Sequence, residues 1–119
     1  MAEATMHAGG CHCGRVRFEA KTDLGTLISC NCSICSKKGL MLTFVPDGDF
    51  RLVSGYDFLV DYQFNKHVIH HLSCARCGVE PFARGKAPDG SPMVAINVRC
   101  LDDVDVATLE PTPFNGRDA

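Results

Sequence analysis

Seven of the eight cysteines in this 119-residue chain stand in three tight groups, Cys11-x-Cys13, Cys30-x-Cys32-x-x-Cys35 and Cys74-x-x-Cys77, and Cys100 stands apart. A two-residue gap lets both sulfurs of one turn reach a single ion at the ~2.3 Å Zn–S distance, and a one-residue gap can do so in a tight loop. Thiolates are soft ligands, and zinc is the default ion for them. Glycine follows each group where the chain must turn under a metal, as Gly14, Gly39 and Gly78. Thiols that serve only as core hydrophobes have no need of this spacing. A thioredoxin-like reading of Cys74-Ala75-Arg76-Cys77 is weakened because no βαβ pattern surrounds it.

A closed structural zinc site takes four thiolates, whereas a functional site takes three and keeps one position for water or substrate. Seven thiols divide into one set of each kind. Cys11 and Cys13 with Cys74 and Cys77 would clamp two distant stretches, closing a loop of about 60 residues and contributing on the order of 10 kcal/mol to folding. Cys30, Cys32 and Cys35 would hold a second metal with one coordination position vacant. Spacing does not fix connectivity, so another pairing, or a single zinc with a metal-free trio, satisfies the same sequence.

The elements that must carry these groups read as mainly β. Residues 15–20 put Val16, Phe18 and Ala20 on one face and Arg15, Arg17 and Glu19 on the other, as a half-buried antiparallel strand does. Further strands are predicted over 40–45, stopped by Pro46-Asp47-Gly48, over 50–54, ended by Gly55, and over 58–64 and 68–72. Residues 93–100 alternate again, with Val94, Ile96, Val98 and Cys100 on one face and Asn97 and Arg99 on the other, which makes Cys100 a core thiol. The best helix candidate is short, 104–109, with Asp102 and Asp103 as caps and Pro111 as its stop, and 111–119 reads as a surface loop. Phe44, Tyr62 and Phe64 are assigned to the core.

Composition limits the partners. Hydrophobic residues at 45% and charged ones at 22% allow a packed core and argue against disorder. With a formal charge of −2, a pI near 6.2 and no Lys/Arg block, the footprint of a nucleic-acid binder or of a protein drawn to anionic membranes is missing. The opening MAEATMHAGG lacks the basic and apolar regions of a signal peptide, so a cytoplasmic location is expected, where thiols stay reduced.

Three motifs together resemble the glutathione-dependent formaldehyde-activating enzyme and centromere protein V family. They are Gly9-Gly10-Cys11-His12-Cys13-Gly14-Arg15-Val16-Arg17-Phe18, Cys30-Asn31-Cys32-Ser33-Ile34-Cys35 with Gly39, and Cys74-Ala75-Arg76-Cys77-Gly78-Val79-Glu80-Pro81-Phe82. Phe50, Gly55, Tyr62, Phe64, His71, Asn97-Val98-Arg99-Cys100-Leu101-Asp102 and Phe114-Asn115-Gly116 also fall where that pattern expects such residues. The resemblance implies a single zinc-binding domain over residues 1–119, with its core over about 9–116, in an Mss4-like fold of antiparallel sheets stabilised by zinc. It further implies Cys11, Cys13, Cys74 and Cys77 as the structural site and Cys30, Cys32 and Cys35 as the second, catalytic site. One position departs from the pattern: Ser73 stands where the family commonly has an aromatic residue.

The activity implied by the family is condensation of glutathione, as cosubstrate, with formaldehyde or a related small aldehyde, a carbon–sulfur lyase reaction in reverse. A three-thiolate zinc with a vacant position suits a thiol as fourth ligand. Lys37 and Lys38, directly after the trio, are the candidates for the carboxylates of glutathione. No general acid stands out; His12, His67, His70 and His71 read more simply as structural. A non-catalytic zinc-stabilised binding module and a thiol redox protein remain the competing readings.

Overall fold

The structure, a computed structural model, describes residues 4–63 and 69–115. In chain order its elements are β1 (Thr5–Gly10), β2 (Arg17–Thr22), β3 (Ile28–Cys30), α1 (Ser33–Lys38), β4 (Met41–Pro46) and β5 (Phe50–Ser54). They continue as β6 (Leu59–Tyr62), β7 (His70–Cys74), β8 (Phe82–Lys86), β9 (Pro92–Asn97) and β10 (Thr112–Phe114). Two sheets result, one of three strands in the order β1-β2-β5 and one of seven in the order β10-β3-β4-β9-β8-β7-β6. The mainly β, antiparallel architecture expected from the sequence is therefore present. One pair departs from it: β10 lies parallel to β3, with Thr112 opposite Ile28 and Phe114 opposite Cys30.

Alternation builds the core. Val16, Phe18 and Ala20 are fully buried, while Arg17 and Glu19 on the opposite face of β2 reach solvent. Val94 and Ile96 of β9 and Phe82 of β8 meet them, so both sheets share one hydrophobic core. Phe18, Phe50 and Phe82 cross between the sheets, with ring centroids 5.5 Å apart for Phe18–Phe50, 4.7 Å for Phe50–Phe82 and 6.1 Å for Phe18–Phe82. Such contacts add about 0.5–1.5 kcal/mol each beyond burial.

Several expectations are corrected. The strand predicted over 93–100 stops at Asn97, and Val98–Cys100 form a 3-10 turn. Asn97 is buried where an exposed face was expected, because its amide works in both directions: the oxygen accepts from Arg99 N–H at 3.2 Å and the nitrogen donates to the Glu80 carbonyl at 3.0 Å. The helix predicted over 104–109 is a single 3-10 turn, Val106–Thr108, capped by Asp105. Asp102 and Asp103 do not cap it, since Arg17 holds the first and His7 the second. Within the loop expected over 111–119, Thr112–Phe114 form β10, and residues 116–119 lie outside the described residues. Phe64, His67 and Val68 lie outside them as well. Tyr62 is exposed rather than core.

Candidate metal centre and active site

Cys11 and Cys13 sit in the turn between β1 and β2, while Cys74 ends β7 and Cys77 lies in the turn that follows it, so one pair comes from each sheet. Gly14 (φ +84°) and Gly78 (φ +81°) make these turns in the left-handed region, where glycine meets no steric cost. The four sulfurs all lie within 4.8 Å of one another, with Cys11 to Cys13 at 3.6 Å and Cys13 to Cys74 at 3.7 Å. Thiolates at the corners of a tetrahedron around an ion with Zn–S of ~2.3 Å stand ~3.8 Å apart, so this set fits zinc. The backbone N–H of Val79 leads the groups that bring the Cys77 thiol down to about 6. The backbone at Arg15 lowers Cys13 in the same way, and burial raises Cys74.

The second set is local. Cys30 ends β3, Cys32 caps α1 and Cys35 lies buried within it, while Gly39 (φ +66°) closes the helix with its N–H on the Cys35 carbonyl at 2.9 Å. The three sulfurs also lie within 4.8 Å of one another, and among the described residues no fourth His, Cys, Asp or Glu completes the group. Cys32 N–H donates to the Cys30 sulfur at 3.4 Å. Burial opposes ionisation at Cys32, yet hydrogen bonds from Cys35, Cys30 and the nearby backbone bring its thiol below the ordinary value. Cys35 is pushed up, chiefly by burial and next by Cys32.

The trio borders two cavities. One, of about 520 Å³, is lined by all three cysteines together with apolar side chains, His71 and Glu80. The other, of about 420 Å³, is lined by Cys30 and Cys35 with Ser29, Asn31, Ser36 and Arg99. Behind the first cavity Glu80, almost fully buried, binds two partners: Lys38 Nζ at 2.6 Å from Oε1 and His71 Nδ1 at 3.0 Å from Oε2. Ser73 Oγ accepts a further bond from Lys38 at 3.1 Å. A serine at that position is therefore a hydrogen-bond partner for the lysine, which an aromatic ring could not be.

The remaining candidates separate clearly. Lys37 opens on a shallow hollow of about 190 Å³ with Ser33, Ile34 and Tyr62, away from Lys38. His12 is exposed, and His70 pairs with Asp61 at 2.7 Å. Cys100 is half-buried with its sulfur 3.9 Å from the Glu80 carbonyl, and burial pushes its thiol up to about 12, as a packed, protonated core thiol requires. Phe44 is a cavity wall and not a core ring. Glu80 and Arg99 were not singled out by sequence reasoning. No local pattern marks Glu80, whose partners Lys38 and His71 lie 42 and 9 residues away.

Antiparallel sheets joined through one cysteine cluster, with a second cluster open to a cavity, define a class of mainly β proteins whose thiols could hold zinc. Within that class the chain belongs to the glutathione-dependent formaldehyde-activating enzyme family, whose description matches residues 6–114. It is also similar to a crystal structure of a Rhodobacter sphaeroides protein solved as a structural-genomics target. The two are 28% identical with a TM-score of 0.80, over 89% of this chain and 97% of that one. No helix among the described residues is long and apolar enough to cross a membrane.

Proposed function

We propose that the protein is a zinc-dependent carbon–sulfur lyase of the S-(hydroxymethyl)glutathione synthase type, acting in the cytoplasm. It adds the thiol of glutathione to formaldehyde or a related small aldehyde at the Cys30, Cys32 and Cys35 site and cleaves the same bond in reverse. The observation that carries this reading is the position of an incomplete, three-sulfur cluster that borders two cavities, which gives two substrates access to one point.

Cys30, Cys32 and Cys35 would hold the second zinc, and Cys11, Cys13, Cys74 and Cys77 the structural one. Zinc bound by the trio supplies a site where a soft thiol sulfur gives up its proton readily. Arg99, in the polar cavity, and Lys37 would meet the two carboxylates of glutathione. Lys38 is engaged by Glu80 and Ser73, so the carboxylate role expected of both lysines passes to Lys37 with Arg99. His71, in the wall of the first cavity, would take the thiol proton and return it to the carbonyl oxygen as the sulfur–carbon bond forms. Glu80 fixes the imidazole through Nδ1. The chain contributes mainly by holding both reactants in contact within a largely apolar recess, where proximity provides most of the acceleration.

Zinc stoichiometry with and without glutathione, combined with nuclear magnetic resonance detection of the adduct from carbon-13 formaldehyde, tests the reading. Two zinc ions per chain and catalysed adduct formation are expected. Cys32→Ser is expected to lose one zinc and the thiol binding while the fold persists. A protein that loads zinc yet ignores glutathione and formaldehyde would be a binding module instead.

A further inference from the structure

Formaldehyde does not account for the cavity beside the trio. At about 520 Å³ it falls within the ~300–1,000 Å³ of pockets that enclose whole small molecules. An aldehyde of two heavy atoms needs little more room than a water, ~30 Å³. The walls are made by apolar side chains, among them Leu40, Leu42, Phe44, Met93, Ala95 and Phe114. At its edge Phe44, Ile69 and Phe114 remain 40%, 50% and 49% exposed, an apolar surface that the core does not use.

The polar body of glutathione does not explain it either. Among the described residues no lysine or arginine lines this cavity, and Glu80, the carboxylate that does, is held by Lys38 and His71. Two carboxylates and an ammonium placed against these walls would lose hydration and find basic partners only beyond them, where Arg84 and Lys86 line an adjoining hollow. The second cavity that Cys30 and Cys35 line is mixed: Arg99, Asn31, Ser29 and Ser36 stand there beside Leu40, Met41, Pro111 and Pro113, and its guanidinium, amide and hydroxyls are partners such a tripeptide can use. The thiol therefore has the more polar of two approaches to the trio, which leaves the more apolar one for the other reactant.

Resting on the thiol–aldehyde reading above, we infer that the second substrate is an aldehyde bearing an apolar chain or ring, and that the 520 Å³ cavity is its binding site. The balance is that of a thiohemiacetal. One sulfur–carbon bond forms, the carbonyl double bond becomes a C–OH, and the thiol proton moves to that oxygen, with nothing oxidised or reduced.

The test compares straight-chain aldehydes from ethanal to heptanal with glutathione on the zinc-loaded chain, each rate divided by its uncatalysed counterpart. Each methylene that enters the cavity is expected to raise kcat/KM about fourfold. Calorimetry with S-methyl-, S-butyl- and S-hexylglutathione should show the same climb in affinity without any turnover. Ala95→Leu, which fills the cavity, is expected to flatten both series from the long end. Phe44→Ser, at a wall position that is 40% exposed, is expected to weaken the hexyl compound several-fold. Flat series in both measurements, with formaldehyde still converted, would overturn the cavity assignment and leave the thiol–aldehyde reaction standing. Chain-length-dependent binding without turnover of any aldehyde would support the cavity and sink the reaction.

Discussion

Lys38 Nζ lies 2.6 Å from Glu80 Oε1, and each residue stands three positions after the last cysteine of its group. The ion pair thus joins the helix that carries Cys35 to the turn that carries Cys77. The Glu80 side chain is 2% exposed and that of Lys38 32%, so the two partners differ in what they lose when left alone. Lys38→Met strands a buried carboxylate on His71 and is expected to cost about 2–3 kcal/mol. Glu80→Gln leaves an ammonium that can turn to water and is expected to cost about 1–2 kcal/mol. The double variant should cost less than the sum. Urea unfolding of the zinc-loaded protein gives all three values.

The two cysteine sets should respond differently to loss of a ligand. Cys74→Ser opens the cluster that joins the two sheets, and the ~10 kcal/mol ascribed to a structural zinc site matches the whole stability of a typical domain. Loss of cooperative unfolding, followed by circular dichroism, is the expected outcome, and the same should follow strong chelation. Cys32→Ser acts on a local set outside the main core and is expected to lower Tm by only a few degrees.

A surface carboxylate that a basic partner holds below its usual range loses its contribution to stability in acid. Arg17, by its hydrogen bond to Asp102, holds that carboxyl down and ties β2 to the segment after the 3-10 turn. Because the folded value is the lower one, its contribution is present above the unfolded pKa of ~3.9 and is lost as pH falls through the folded value. The pair is largely exposed, so about 0.5 kcal/mol is expected. Asp102→Asn should therefore be less stable than the parent at pH 7, with the gap narrowing as pH falls towards the folded value, as thermal melts over the range in which zinc stays bound will show.

If Arg99 meets a carboxylate of the thiol substrate, Arg99→Gln should raise KM for glutathione about tenfold, as loss of one partly exposed charged hydrogen bond would, with kcat little changed. The KM for 2-mercaptoethanol, which has no carboxylate, should not move. Equal losses with both thiols would instead assign Arg99 to holding Gly39, whose carbonyl accepts from its Nε at 3.2 Å.

The sequence disclosed the features that repeat or alternate. The buried face of β2, the strand 50–54 and the turn glycines at 14, 39 and 78 follow from residue type and period alone. The three cysteine groups were visible from spacing, and their gathering into a set of four and a set of three is a matter of tertiary structure. The helix α1 escaped because six residues are too few for a 3.6-residue period to declare itself. β3 and β10 escaped because three residues cannot show alternation. Glu80 escaped because its importance comes from partners 42 and 9 residues away, which no local pattern contains.

The parallel pairing of β10 with β3 has a consequence for synthesis. Cys30 is translated early, but the strand that bears it lies between β4 and β10, and Asn31 is fastened to Asn115, 84 residues later. Until that late segment leaves the ribosome, β3 is an unguarded edge and the trio beside it lacks one flank. A nascent chain would therefore display three thiols to oxidants and adventitious metals until Phe114 and Asn115 have emerged. Insertions or fusions made close after Phe114 would prolong that window, while the quartet, whose last member is Cys77, would already be assembled.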